Sequence, residues 1–278
     1  KMKLIINSLS KINFGLFITE KRSDGFHNIE TIFYPLRLSD EIIIRECDHL
    51  LIECSVAELN SDPVNNLIYK AVKLLEQKTG KPLNCRITLN KNIPLGAGLG
   101  GGSSNAASVL LGLNDLFNLG YSKAELSEFG LQLGSDVPFF IHPYPSFASG
   151  RGEKLSEIDL KLEGFIVVVN PGIHVSTAEA YKNCKPSKPG FNLLELNGRI
   201  INNYNELRGV IVNSFETTVF ETHPQISELK ESMLRGGASF SLMSGSGSTV
   251  FGIFETEESA EVFINSLPPE YLVYTEEL

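Results

Sequence analysis

Residues 94–117 read PLGAGLGGGSSNAASVLLGLNDLF. Five glycines, at positions 96, 98, 100, 101 and 102, precede a segment in which Ala106, Val109, Leu110, Leu113 and Phe117 recur at helical spacing. The glycine loop therefore opens a helix. Glycine lacks a Cβ, so such a loop tolerates positive φ and lets a ligand touch the main chain. The first N–H groups of the helix have no internal partner and meet the loop with the positive end of the helix dipole. Both features suit a phosphate. Ser103 and Ser104 add hydroxyls at the helix start, and either could reach a magnesium ion. The competing reading is a flexible connector, against which stands the fixed order of Pro94, glycines, paired serines, Asn105 and small residues. The loop is not a P-loop, which requires GxxxxGKS/T, and it lacks GxGxxG.

Upstream, KINFGLFI (11–18) places Ile12, Phe14, Leu16 and Ile18 on one face of a strand and Lys11, Asn13 and Gly15 on the other, off the core. NLIYKAVKLLEQKTG (66–80) is apolar at helical spacing and ends at Gly80, a helix C-terminal glycine, with a strand following at 85–89. Downstream, Ser122 and Glu125 have capping-box spacing, and that helix is expected to end near Gly134. The sequence changes character around SGRGEKL (149–155). Beyond it come a strand at 165–170, a helical region clearest in PQISELKESMLRGG, strands at 240–243 and 249–254, a helix at 259–267 and a strand at 271–275. That order, β-α-β-β-α-β, is ferredoxin-like. The fold class is α+β in two domains: a mixed α/β domain over 1–152 that carries the glycine loop, and a ferredoxin-like domain over 153–278. The ligand site is expected in the cleft between them.

With 278 residues the chain is long enough for two domains, and 42% hydrophobic with 21% charged residues is the balance of a soluble globular protein. A net charge of -9 and a pI near 5.2 disfavour nucleic acid or an anionic membrane as partner. A small anionic ligand therefore requires locally arranged donors. The four cysteines form no CxxC pair and no metal-ligand spacing, which reads as reduced thiols in a cytoplasmic protein. The N-terminal KMKLIINSLSKINF lacks a signal-peptide core, and no apolar run reaches about 18 residues, so secretion and membrane spanning are disfavoured.

PLGAGLGGGSSNAA resembles the central motif of the GHMP kinases, SLSKINFGLFI their N-terminal motif, and LMSGSGSTVFGIF their glycine-rich C-terminal motif. SKINFGL, RSDGFHNIET, LGSDVPFF and FASGRGE are similar to one branch of that superfamily, which phosphorylates the 2-hydroxyl of a cytidyl diphosphate alcohol in non-mevalonate isoprenoid precursor synthesis. The resemblance runs from about residue 8 to about 256. It departs at position 10, Ser where Ala is usual, and at Phe26 where Tyr is common. The segment 183–215 matches no motif.

The resemblance implies an ATP-dependent kinase of a small-molecule substrate, with magnesium accompanying ATP. It implies that Pro94, Gly96, Ala97, Gly98, Leu99, Gly100, Gly101, Gly102, Ser103 and Ser104 hold the phosphates, with Asn66 and Lys91 near the nucleotide. Asp136 becomes the base and Lys11 reaches towards it; on the residues alone, Asp136 reads as a turn or cap residue and Lys11 as a solvated edge charge. Asn13 is implied at the substrate diphosphate or polyol hydroxyls. Phe26 is implied to stack on the cytosine and His27 to hydrogen-bond its edge, whereas the plain alternative is a hairpin with a core Phe and a surface His. Thr177 and Tyr181 complete that pocket by resemblance, Tyr181 on the other face of the base. Lys91 and Asn66 read otherwise as surface and cap residues. SGSGS (244–248) is expected to close on the phosphate loop, with a simple hairpin turn as its rival. Two other functions compete. Another small-molecule GHMP kinase would not need Phe26 or Tyr181, and a non-catalytic nucleotide-binding regulator would not need Lys11 and Asp136.

Overall fold

Two long strands, β1 (Lys3–Lys21) and β2 (His27–Glu46), pair with each other and supply residues to both halves of the chain. The structure is a computed structural model that describes residues 3–62 and 64–278. The first two residues of the N-terminal stretch lie outside these. The chain divides into two compact units, one from Lys1–Lys11, Pro35–Leu95 and Gly100–Pro143, the other from Ile12–Tyr34, Gly96–Leu99 and Tyr144–Leu278. The two long strands and the glycine loop contribute residues to each unit.

In the first unit, Glu41–Glu46 of β2 run antiparallel to β4 (Cys85–Asn90), and β3 (Leu51–Cys54) lies parallel to β4 on its other side. Helix α1 (Ala57–Ser61) is one turn. Helix α2 (Leu67–Thr79) ends as expected at Gly80, which is left-handed at φ 66° and closes on the Glu76 carbonyl. Helix α3 (Gly101–Leu116) packs against α2, α4 (Lys123–Leu133) and α5 (Val137–Ile141). It lies close on the strands because Gly112 has no side chain: a Cβ there would meet Ile6 at 2.6 Å and Ile44 at 2.7 Å. The Ser122–Glu125 capping box is formed, and α4 stops at Gly134.

In the second unit, β5 (Ser146–Ser149) pairs with Thr31–Phe33 of β2 and with β6 (Lys154–Glu157). Strand β7 (Leu160–Leu162) pairs in parallel with β9 (Arg199–Ile201). The main sheet takes β8 (Phe165–Asn170), β10 (Phe240–Met243), β11 (Val250–Phe254) and β12 (Leu272–Glu277) in the order β10-β11-β8-β12, all antiparallel. That is the ferredoxin-like order. Between its first two strands lie three helices, α6 (Thr177–Asn183), α7 (Glu216–Thr222) and α8 (Pro224–Arg235), and α9 (Glu257–Ile264) precedes β12. Val167, Val169, Ile226, Met233, Phe254 and Phe263 share its core.

One expectation about β1 is corrected. Lys11 and Asn13 do not point off the core: they are 4% and 2% exposed, while Ile12 and Phe14 on the opposite face are fully buried. A strand covered on both faces must give its polar side chains partners inside the protein.

Candidate active site

The start of α3 and the end of α4 bring the first group together. Gly100 is left-handed at φ 72° and stands at the N-cap of α3. A Cβ on it would meet the Phe140 ring at 2.7 Å and Lys11 Cε at 3.2 Å, so the buried lysine runs directly beneath the loop. Its Nζ lies 3.9 Å from Asp136 Oδ2. Asp136 occupies the N-cap position of α5 but makes no cap hydrogen bond, and its side chain is 33% exposed. The carboxylate is thus held near a cation and open to solvent without the capping duty that its sequence position suggests.

Burial drives the Lys11 ammonium below its ordinary value, and Asp136 opposes the shift. Between that lowered value and the ordinary 10.5 the unfolded chain binds more protons than the folded one, so folding stability rises with pH. Lys11→Met abolishes this linkage. Wild type is therefore expected to gain stability relative to Lys11→Met as pH climbs through the window, read from urea midpoints. A stability difference independent of pH would show that Lys11 is not buried as a cation.

Two residues expected at the nucleotide have other partners. Lys91 forms an ion pair with Asp40, both almost fully buried, and is neither a surface residue nor free to swing. Asp40 also accepts from the N–H groups of Asn92 (2.7 Å) and Ile93 (2.8 Å) and from Asn105 Nδ2 (2.9 Å). Ser104 turns inward, its hydroxyl 2.8 Å from that of Ser8, which also accepts from Asn105 at 3.0 Å. This network fastens the first turn of α3 to the strands below. Ser103, by contrast, is only partly buried. Asn66 caps α2 through Oδ1, and among the described residues its buried Nδ2 has no hydrogen-bond partner. The buried Ser10 hydroxyl has none either.

Asp40 was legible and was missed. Leu36, Leu38, Ile42 and Ile44 are all buried at alternate positions of β2, and Asp40 sits in the middle of that series. A carboxylate in a core-facing register requires donors.

In the second unit, the turn after β1 is fixed by Arg22, which forks onto Asp24 at 2.7–3.1 Å, and by Asp24, which accepts the Phe26 N–H at 3.1 Å. It displays Phe26, 53% exposed, with the Arg151 guanidinium 4.8 Å from the ring centre. His27 is buried, so the hairpin alternative of core Phe and surface His is reversed. Burial, and secondarily the Lys21 charge, lower the His27 imidazole below its ordinary value, which keeps one ring nitrogen a donor and the other an acceptor. Tyr181 stacks on His27 at 5.2 Å and stands edge-on to Phe215 at 4.8 Å. Asn13 Nδ2 donates to Thr31 Oγ1 (2.9 Å). Thr177 Oγ1 is 2.8 Å from Ser246 Oγ, inside the SGSGS turn. The same turn meets Gly98: Ser244 Oγ donates to the Gly98 carbonyl (2.9 Å) and accepts from the Asn13 N–H (3.1 Å). These contacts bring SGSGS against the Gly96–Leu99 part of the loop.

The models of the GHMP kinases N terminal domain and of the GHMP kinases C terminal match residues 66–143 and 188–273. The 4-diphosphocytidyl-2-C-methyl-D-erythritol kinase of Bacteroides thetaiotaomicron is 44% identical over 253 residues, 89% of this chain and 91% of its own. That of Citrifermentans bemidjiense is 40% identical over 260 residues, 93% and 92% of the two chains. A crystal structure of 4-(cytidine 5'-diphospho)-2C-methyl-D-erythritol kinase matches with a TM-score of 0.80 at 31% identity over 98% of each chain. The homoserine kinase of Cytophaga hutchinsonii, 15% identical with a TM-score of 0.63 over 100% of this chain and 95% of its own, shares the fold. With such relatives over nine-tenths of its length, the chain belongs to the GHMP kinases, in the branch formed by the 4-diphosphocytidyl-2-C-methyl-D-erythritol kinases.

Proposed function

We infer that the protein transfers the γ-phosphoryl group of ATP to the 2-hydroxyl of 4-diphosphocytidyl-2-C-methyl-D-erythritol, giving the 2-phosphate and ADP. The observation that carries the chemistry is the Lys11–Asp136 pair beneath the N-cap of α3. Asp136 accepts the hydroxyl proton as the oxygen attacks phosphorus, and the Lys11 ammonium offsets the negative charge that develops there. Main-chain groups of Gly96–Gly102, with Ser103, receive the phosphates at the helix start. The unsatisfied Asn66 Nδ2 is a donor ready for the nucleotide. Magnesium would arrive with ATP, and Ser103, the more exposed of the two serines, could reach it. The site roles of Lys91 and Ser104 become supporting ones, exerted through Asp40 and Ser8. We place the reaction in the cytoplasm, the compartment in which thiols such as the four cysteines here are kept reduced. Among the described residues no helix is long and apolar enough to cross a membrane.

The test offers pure protein ATP-Mg with the cytidyl diphosphate alcohol, homoserine, mevalonate and galactose in turn, and measures ADP release. Turnover of the cytidyl compound is expected. Turnover of another alcohol alone would replace this reading.

Phe26 supplies a cleaner specificity test than Tyr181, because Tyr181 packs on His27 and the core whereas Phe26 is half-exposed. A ring stacked on a base contributes roughly 1–3 kcal/mol, so Phe26→Ala is expected to weaken the cytidyl substrate by about 5- to 150-fold, with ATP affinity within about twofold. Separate titrations on folded protein measure both. Equal losses for the two ligands would assign Phe26 to the fold.

A further inference from the structure

The segment 183–215 carries none of the motifs above, yet it ends in a side chain that grips the SGSGS turn. Asn213, 3% exposed, donates through Nδ2 to the carbonyl oxygens of Met243 (2.7 Å) and Gly245 (2.8 Å) and accepts through Oδ1 from the Phe215 N–H (3.0 Å). The residue bracketed by those two carbonyls is Ser244, whose hydroxyl bonds Gly98 and Asn13. Glu216 adds a second hold: its Oε1 accepts the Met243 N–H (2.9 Å), and its Oε2 takes Lys230 Nζ (2.6 Å). Asn213 is itself fixed to β1. Leu16 N–H donates to the Val212 carbonyl (2.8 Å), Ser214 N–H donates to the Leu16 carbonyl (2.8 Å), and Ile18 N–H donates to Ser214 Oγ (3.0 Å).

We propose that Asn213 is a positioning residue for the nucleotide: by bracketing Ser244 between two carbonyl bonds it sets where Gly98 of the phosphate loop lies. The proposal rests on the kinase reading above. A primary amide suits the place because it offers two N–H donors and one acceptor from a single rigid plane. Aspartate keeps the acceptor but presents oxygen to both carbonyls, leaving two buried acceptors unpaired. The fit permits no slack, since a Cβ on Gly245 would already come within 3.0 Å of Gly98 Cα.

Asn213→Asp is expected to raise the KM and Kd for ATP by about 10- to 100-fold, the loss of two hydrogen bonds, with the KM of the cytidyl substrate within about twofold. Ser244→Ala, which removes only the hydroxyl relay to Gly98, is expected to act in the same direction. Because both act through one chain of contacts, the double variant is expected to be little worse than Asn213→Asp alone. Equal losses for ATP and cytidyl substrate, or lowered thermal stability with ATP affinity unchanged, would reduce Asn213 to a structural residue. If Asn213→Asp fails to fold, Ser244→Ala decides alone, and its unchanged ATP affinity would overturn the proposal. Titration with ATP keeps this test separate from the kinase reading, which fails instead if the wild type binds ATP but does not turn over the cytidyl alcohol.

Discussion

Asp136→Asn is expected to lower kcat by about 10²- to 10⁴-fold, the range for removal of a positioned general base, with both substrate affinities little changed. Asparagine preserves the side-chain shape, and because Asp136 makes no cap hydrogen bond the start of α5 loses nothing by the exchange. What changes is charge. The carboxylate lies beside a lysine that is 4% exposed, so its removal takes a counter-charge from a buried cation and depresses the Lys11 ammonium further. A fall in activity alone would therefore have two explanations. Single-turnover measurements on Asp136→Asn and on Lys11→Met/Asp136→Asn separate them: a missing base leaves Lys11 still at work, so the double variant is slower again, whereas a loss that acts through a disabled lysine leaves the two variants equally slow. Near-normal kcat in folded Asp136→Asn would leave Asp136 a positional role only.

The sequence disclosed local structure where one residue type had one geometric use. Gly80 as a helix terminator, the Ser122–Glu125 box, the glycine loop opening α3 and the strand order after residue 165 all depend on short-range spacing. It was weaker where long-range cover decides. Period two put Lys11 and Asn13 on a polar face, but a strand covered on both sides has no polar face, and their partners, Asp136 and Thr31, come from distant chain. The resemblance implies a nucleotide role for Lys91 and Ser104, and only the fold shows that they pair with Asp40 and Ser8. Asn213 and Glu216 left no periodic trace, because their work is on main-chain atoms of a turn about 30 residues away in sequence.

Gly98→Ala is expected to weaken ATP binding by 100-fold or more, while Gly96→Ala in the same loop weakens it by no more than about tenfold. Both glycines are left-handed, at φ 78° and 58°, so both alanines bear the same backbone strain, on the order of 1–2 kcal/mol. Their surroundings differ. A Cβ at 96 meets only His174 Nδ1 at 4.0 Å, an ordinary contact, whereas a Cβ at 98 would lie 2.0 Å from the Ser244 carbonyl oxygen and 2.9 Å from its carbon. The obstacle is main chain, which has no rotamer to change, and Asn213 holds the carbonyls on either side of it. The loop must therefore retreat by about 1 Å, and a displacement of that size can cost about 10²-fold at a site that works by positioning. Gly100→Val would blur this comparison, since its side chain strikes Phe140 and Lys11 as well as filling the cradle. Calorimetric titration of the two alanine variants with ATP, on protein shown to be folded, gives the ratio directly. Equal affinities for Gly96→Ala and Gly98→Ala would mean that the contact with Ser244 does not fix the loop, and that strain at a left-handed residue accounts for whatever loss is seen.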